Sequence, residues 1–400
     1  MKGGKPRIAL VMLILVALAA SALASGCATK KEAAPSPSPS APTQPAKTIK
    51  IGYAGAVTGG SAEQGNRTRR GVLMAIEEAN KAGGINGTQI ELVSLDDRAD
   101  PKEAANVANR LASDPDIMAV IGHTNSSCTL AGAPIYNKAG LVQITCSSSS
   151  PKISAAGPYT FRVWNSDAYT AAFNVQLLID LGFKKIGIIY ENNDYGRGGY
   201  EVAVQTLEKA GMKPVAAESY LLGETKDFGT VISKLKAAGA EAIYGVADET
   251  EIPLFMKQSH AVGYKPFFVS SGTFNPAVIR LGGADVEGVV GNALFNPDNI
   301  PPKLKGFFDK YLERFKSEGI TQVDPISPAG YTAGQMVIEA LSKKGVSREA
   351  VKDYLTTLKG FDSVLGPLSF DENGDIKIPM TYMVIKDGKF IEFKKENFKK

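Results

Sequence analysis

The sequence predicts an α/β fold of two doubly wound lobes with a ligand cleft between them. Three observations predict it: short β-rich runs alternate with longer helical stretches, this alternation restarts near residue 168, and polar turns follow the apolar strands. Strands that alternate with helices form parallel sheets through βαβ units. Such sheets bind ligands beyond the carboxyl ends of their strands, so two facing lobes create a cleft.

The first half of the folded body begins with the predicted strand Ile49–Tyr53 and a helix over Thr68–Ala82, whose apolar residues form one stripe. The other elements of this half are the strands Ile90–Leu95, Ile117–Ile121 and Leu141–Thr145 and the helices Pro101–Ser113 and Leu130–Ala139. Asp100 is the predicted N-cap of its helix, because an aspartate side chain accepts hydrogen bonds from the free N–H groups at a helix start.

The second half repeats the pattern, beginning with a helix over Ala168–Leu181. The strands Lys185–Tyr190, Pro214–Tyr220, Ala242–Val246 and Phe267–Ser270 alternate with the helices Gly198–Ala210, Phe228–Ala238 and Pro253–Val262. Beyond Asn296 follow the helices Pro302–Ser317, Tyr331–Lys343 and Val351–Leu358 and the strands Thr381–Ile385 and Lys389–Phe393. The predicted first lobe covers residues 48–164 and 297–365, and the second covers 165–296 and 366–400. The three crossovers between them are expected near Val163–Asp167, Gly291–Asn296 and Leu365–Asp375.

The N-terminus carries a predicted secretory signal over residues 1–26. A basic start is followed by the apolar run Ile8–Ala24 and by the small pair Ser25-Gly26. Cys27 comes next, so the segment resembles a bacterial lipobox, in which the cysteine is lipidated and becomes the first mature residue. Ala24 stands where leucine is usual. The alternative is a plain transmembrane anchor, but Ile8–Ala24 falls short of the ~20 residues that span a bilayer comfortably.

Residues 27–47 form a predicted tether, because a segment that alternates proline with small residues buries too little apolar surface to fold. The three basic residues of the signal leave 42 of the chain's 45 basic residues against 41 acidic ones, a net charge of +1. No concentrated basic face indicates a nucleic-acid partner. Cys128 and Cys146 are then the remaining cysteines, and in an exported protein they are candidates for a disulfide whose geometry the sequence leaves open.

Two polar turns after predicted strands are the candidate binding site. Gly122–Ser127 follows one strand and Thr145–Ser150 follows the next, and both offer hydroxyl and backbone N–H groups that suit an anionic group. An enzyme is not predicted, since no Gly-x-Ser-x-Gly elbow occurs and His123 and His260 lie far apart without metal-ligand spacing. No metal or cofactor is expected.

From Ile51 to about Phe390 the chain resembles the substrate-binding proteins of hydrophobic (branched-chain) amino-acid ABC transporters. The segments that carry the resemblance include Gly55-Ala56-Val57-Thr58-Gly59, Ala82-Gly83-Gly84-Ile85-Asn86-Gly87, Asp96-Asp97-Arg98-Ala99-Asp100-Pro101, Val120-Ile121-Gly122-His123, Asp194-Tyr195-Gly196-Arg197-Gly198, Lys226-Asp227-Phe228 and Gly366-Pro367-Leu368. The resemblance implies the type I periplasmic-binding-protein fold and a leucine/isoleucine/valine-binding type of cleft.

The resemblance also implies roles for particular residues. Ser126, with Ser127 beside it, falls where the family binds the ligand carboxylate. In the second turn, the positions that hold the ligand's carboxylate and ammonium fall on Ser147 and Ser149, with Ser148 between them. The aromatic residue that closes over the ligand falls on Tyr195, and an aromatic position of the first loop is Gln64 here, which departs from the family.

A second departure concerns the ligand ammonium. The family often has an acidic residue before a glycine after the strand Phe267–Ser270, and here that residue is Ser271. Asp248, at the end of the strand Ala242–Val246, is the candidate replacement, because a buried ammonium needs an opposite charge. The alternative is a ligand without an α-ammonium, such as a small carboxylate or an amide.

The resemblance implies that the protein captures an amino acid outside the cytoplasm and delivers it to an ABC transporter permease. The lipid on Cys27 would hold it to the outer face of the cell membrane, and a periplasmic location is the alternative. Hinge closure around the ligand would be the mechanism. A ligand sensor for a separate signalling partner is the alternative from another class.

Overall fold

The computed structural model describes residues 48–272, 274–322 and 324–398. The predicted signal peptide, Cys27 and the tether up to residue 47 lie outside the described residues. In the described part of the chain, no helix combines the length and apolarity needed to cross a membrane.

The first lobe is built on a parallel sheet with the strand order β2-β1-β3-β4-β5. Its strands are β1 (Ile49–Gly55), β2 (Ile90–Asp96), β3 (Ile117–Gly122), β4 (Val142–Thr145) and β5 (Thr160–Arg162). The helices α1 (Ala62–Lys81), α2 (Pro101–Ser113) and α3 (Ser126–Lys138) connect the first four strands. Asp100 caps α2 as expected, since its carboxylate accepts the N–H groups of Lys102 and Glu103 at 2.8 and 3.0 Å.

Both faces of this sheet are covered, which explains why its strands are almost continuously apolar. Ile51 and Tyr53 point to the side that packs with α1, whereas Ala54 and Val120 point to the side that packs with α2. Successive side chains of a strand point to opposite faces of the sheet, so neighbouring residues pack into different hydrophobic cores.

The second lobe has the same construction, which confirms the predicted doubly wound α/β class. Its parallel strands are β6 (Ile186–Glu191), β7 (Ala216–Tyr220), β8 (Ala242–Val246), β9 (Phe267–Ser270) and β10 (Val290–Ala293). Its helices are α4 (Asp167–Asp180), α5 (Asp194–Lys209), α6 (Gly229–Ala237), α7 (Glu251–Ala261) and α8 (Pro276–Gly282).

The chain then returns to the first lobe and crosses back once more. The returning elements are the helices α9 (Pro302–Arg314), α10 (Ser327–Lys344) and α11 (Arg348–Thr357) and the hairpin strands β11 (Phe361–Ser363) and β12 (Gly366–Leu368). Helix α10 packs along α1. Finally β13 (Thr381–Lys386) and β14 (Lys389–Glu392) complete the second sheet as antiparallel strands, in the order β14-β13-β10-β9-β8-β6-β7.

The last crossover lies further along the chain than the sequence indicated. The segment from Gly366 was assigned to the second lobe, but Phe370, Ile376 and Ile378 are buried in the core of the first lobe. An ion pair of 2.6 Å between Arg162 and Asp375 fixes this segment beside β5. Burial of these apolar side chains therefore keeps the segment in the first lobe.

Cys128 and Cys146 are free, buried thiols, which corrects the candidate disulfide. Cys146 belongs to the core shared with α1, whereas Cys128 lies on α3, which packs against α2. The sheet therefore separates the two residues. Burial raises the pKa of both thiols, so they remain protonated and unreactive.

Candidate ligand-binding cleft

The carboxyl ends of the two sheets face a cleft of about 200 Å³. This volume is below the range typical for drug-sized ligands, so it suits a small solute. Seven of the predicted site residues line the cleft, namely Gln64, Ser126, Ser147, Ser149, Tyr195, Asp248 and Ser271. Ser127 and Ser148 do not.

The first lobe presents the start of α3 to the cleft. Asn125 occupies the N-cap position but makes no capping hydrogen bond; its Oδ1 accepts from the hydroxyl of Thr124 at 3.3 Å, and its Nδ2 donates to Ser61 at 3.0 Å. The N–H groups of the first turn therefore lack a side-chain cap at the cleft wall. Together with the helix dipole, they favour an anionic group of a ligand near Ser126.

The serine hydroxyls of the second turn are already used within the protein. Ser147 donates to the carbonyl of Thr124 at 2.9 Å, and Ser149 donates to the carboxylate of Asp167 at 2.8 Å. These bonds hold the turn in place. A ligand there would meet mainly its backbone groups and the remaining hydroxyl lone pairs.

Ser127 and Ser148, the two predicted serines that do not line the cleft, form hydrogen bonds within the protein. Ser148 is buried and shares a hydrogen bond of 2.8 Å with Thr129, and its hydroxyl also donates to backbone carbonyls of the preceding turn. Ser127 donates to the carboxylate of Asp194 at 2.8 Å and so links the lobes at one rim.

The second lobe makes the cleft strongly acidic. Glu191 ends β6, and Asp248 and Glu249 follow β8. Asp167 joins them from the start of α4, and Glu63 faces them from the first lobe. Among the described residues that line the cleft there is no lysine, arginine or histidine.

Burial raises the pKa values of three of the carboxyl groups, Asp167, Asp248 and Glu191. Burial is the main cause for Asp167, whose pKa rises to about 7 although Ser149 and Arg162 act in the opposite direction. Burial and the charges of Glu251, Glu249 and Asp167 raise the pKa of Asp248. Asp167 and Asp248 therefore hold protons more tightly than free carboxyl groups do, and a cation would favour their ionised forms.

Tyr195 and Ser271 border the acidic wall. Tyr195 lies in the first turn of α5, and burial raises the pKa of its phenol, which stays a neutral donor. A side chain at Gly196 is excluded, since its Cβ would lie 1.9 Å from the carbonyl oxygen of Glu191. The hydroxyl of Ser271 shares a hydrogen bond of 2.7 Å with Tyr244, so Ser271 supplies no charge for a ligand ammonium.

An ion pair joins the lobes across the cleft. Arg67 on α1 is only 8% exposed and donates to Glu249 at 2.8 Å and to Asn275 at 3.4 Å. At another rim, Asp194 contacts Lys152 at 3.1 Å. The lobes therefore touch each other through polar groups that sit beside the ligand space.

Sequence reasoning missed Asp167, Glu191 and Arg67. Glu191 and Asp167 stand at a strand end and a helix start, positions that parallel sheets direct to the cleft. That signal was available in the sequence. Arg67 carried no such signal, because only the folding of α1 against the other lobe gives it Glu249 as a partner.

His123 is part of the scaffold behind the cleft. Its ring is fully buried between Asp97, at 2.6 Å from Nδ1, and the hydroxyl of Tyr136, at 3.2 Å from Nε2. Within residues 48–272, 274–322 and 324–398, no group of three or more His, Cys, Asp or Glu side chains is placed to hold a metal ion.

A two-lobed α/β protein with a small polar cleft at its strand ends has the architecture of a solute-binding protein. Residues 48–389 match the periplasmic binding protein family. The chain belongs to this family, as the resemblance indicated, and the relatives that it matches are solute-binding proteins, not enzymes.

The similarity to known relatives extends over most of the chain. The leucine-, isoleucine-, valine-, threonine- and alanine-binding protein of Pseudomonas aeruginosa is 34% identical over 338 residues, which cover 83% of this chain and 88% of that protein. The branched-chain amino acid transporter substrate-binding protein of Streptococcus pneumoniae, solved with isoleucine, has a TM-score of 0.77 at 25% identity, covering 86% of this chain and 98% of that one. A substrate-binding protein of Desulfitobacterium hafniense in complex with Leu has a TM-score of 0.72 at 26% identity, covering 87% and 100%.

Proposed function

We propose that this protein captures an α-amino acid outside the cytoplasm and delivers it to the permease of an ABC importer. The observation that carries the proposal is the opposite polarity of the two cleft walls. The uncapped start of α3 at Ser126 suits a carboxylate, and the acidic wall at Asp248 suits an ammonium. The relatives named for leucine, isoleucine and valine make these amino acids the first ligands to test.

The acidic wall also argues against a ligand without an ammonium. A simple carboxylate would place its charge near Asp248, Glu191 and Asp167 with nothing to offset their repulsion. An amino acid offers both signs and matches both walls.

The test is calorimetric titration with a panel of amino acids. Asp248→Asn should abolish amino-acid binding, because it removes the proposed partner of the α-ammonium while keeping the side-chain shape. The same substitution at Asp353, an exposed residue of α11, should leave the affinity as it is. If Asp248→Asn binds amino acids with unchanged affinity, Asp248 is not the partner of the α-ammonium.

We further propose that Cys27 carries the lipid that keeps the protein at the membrane. The lipobox-like order of residues before Cys27 supports this, and the tether to residue 47 allows the body to reach a permease. The full-length chain expressed in a bacterium should incorporate labelled palmitate and sediment with membranes. A Cys27→Ala chain should do neither, and labelling that survives this change would refute the anchor.

A further inference from the structure

Glu191 lines the cleft and is a buried carboxylate, one oxygen of which has no hydrogen-bond partner among the described residues. It is 1% exposed and lies at the carboxyl end of β6. Its Oε1 accepts a hydrogen bond from the side chain of Asn193, whereas its buried Oε2 accepts none from the described residues. Buried polar atoms in native proteins normally have partners, so the vacant oxygen points to a group that a ligand brings.

The charges around the cleft leave room for two cations. Arg67 lies 3.3 Å from Glu63 and 2.8 Å from Glu249, so its single positive charge is already engaged by these two carboxylates. The hydrogen bond from Ser149 and the positive charge of Arg162 both favour the ionised form of Asp167. In the described part of the chain, Glu191 and Asp248 have no basic residue within ion-pair distance, and the ammonium of a simple amino acid compensates only one of them.

We propose that the cleft selects α-amino acids whose side chain ends in a second cationic nitrogen, and that Glu191 receives this nitrogen. The inference rests on the proposed function, in which Asp248 holds the α-ammonium. Trp164, Leu222 and Phe274 line the same cleft and offer apolar surface for the methylene groups of such a side chain.

Binding of the second cation should release a proton. Burial, together with the charges of Asp248 and Glu251, raises the pKa of Glu191 well above its ordinary value. The phenol of Tyr220 also interacts with Glu191, and burial raises the pKa of that phenol as well. A cation at Glu191 favours its ionised form, so affinity for a basic ligand should increase with pH.

Lysine and norleucine are the matched probes, because they have the same carbon chain and only lysine has the terminal amine. Calorimetry on the purified protein, in two buffers of different ionisation enthalpy, gives both affinity and proton release. We expect lysine to bind roughly tenfold to 100-fold more tightly than norleucine, as for a hydrogen bond to a charged group, and to release more protons.

The variant Glu191→Gln should remove the difference between lysine and norleucine in both affinity and proton release. Glu208→Gln, on the exposed face of α5, should retain it. Equal binding of the two ligands to the unaltered protein, or a preference for lysine that survives in Glu191→Gln, would overturn the assignment of Glu191 alone. A protein that binds no α-amino acid would overturn the proposed function as well.

Discussion

Replacing Asp167 by asparagine should change how stability depends on pH. Asp167 is 1% exposed in the first turn of α4 and accepts a hydrogen bond of 2.8 Å from Ser149. Asparagine keeps an oxygen for that bond and removes the ionisable group. The variant therefore isolates the cost of burying this carboxylate.

The sign and the size of the effect follow from the pKa. Burial raises the pKa of Asp167 from 3.8 to about 7. The native state thus binds the proton more tightly than the unfolded chain, so this contribution to stability is complete below about pH 4 and is lost as the pH rises through about 7. The pKa of Asp167 rises by about three, and each pKa unit is worth ~1.4 kcal/mol, so the loss of unfolding free energy is at most ~4 kcal/mol.

Urea unfolding of the ligand-free protein between pH 3 and pH 8.5 tests this prediction. Relative to Asp167→Asn, the unaltered protein should lose up to ~4 kcal/mol of unfolding free energy over this range. Asp100→Asn is the control of opposite sign, because hydrogen bonds from the N–H groups of Glu103 and Lys102 lower the pKa of Asp100. Its contribution is present above about pH 4 and is lost as the pH falls. A constant difference between the unaltered protein and Asp167→Asn across the range would refute the reasoning.

Three other substitutions have defined outcomes. Arg67→Met should cost about 1–3 kcal/mol of unfolding free energy and weaken ligand affinity, since it leaves the partly buried Glu249 without its charge partner across the cleft; calorimetry and small-angle scattering would report the weaker binding and a larger radius of gyration. Gly196→Ala should lower the unfolding free energy by about 1–3 kcal/mol in urea, because the Cβ would lie 1.9 Å from the carbonyl oxygen of Glu191, and a stability equal to that of the unaltered protein would contradict the packing. Ser148→Ala should cost about 1–3 kcal/mol with less than a twofold change in affinity, whereas a large loss of affinity would place Ser148 in contact with the ligand.

Most of the fold was predictable because it depends on patterns that are local in sequence. The alternation of apolar strands with amphipathic helices predicted both sheets, and Asp100 before Pro101 predicted the start of α2. The positions of the cleft turns followed as well, because the carboxyl ends of parallel strands meet at one edge. Seven predicted residues line the cleft for this reason.

The outcomes that differed depend on contacts between distant residues. Cys128 follows β3 and Cys146 follows β4, which are neighbouring strands. They are nevertheless not bonded, because the two side chains lie on opposite sides of the sheet. Burial of Phe370 and Ile378 in the first lobe decided the last crossover. Neither fact is encoded in a short stretch of chain.

By itself, the sequence determined the doubly wound class, the two polar turns and the lipobox-like start at Cys27. Only the tertiary structure decided the electrostatics of the cleft. It brought Glu191, Asp248 and Asp167 to one wall and used Arg67 to compensate Glu249 from the opposite lobe. The physical reason is that periodicity and caps act over a few residues, whereas desolvation and charge pairing depend on which distant side chains share the same buried space.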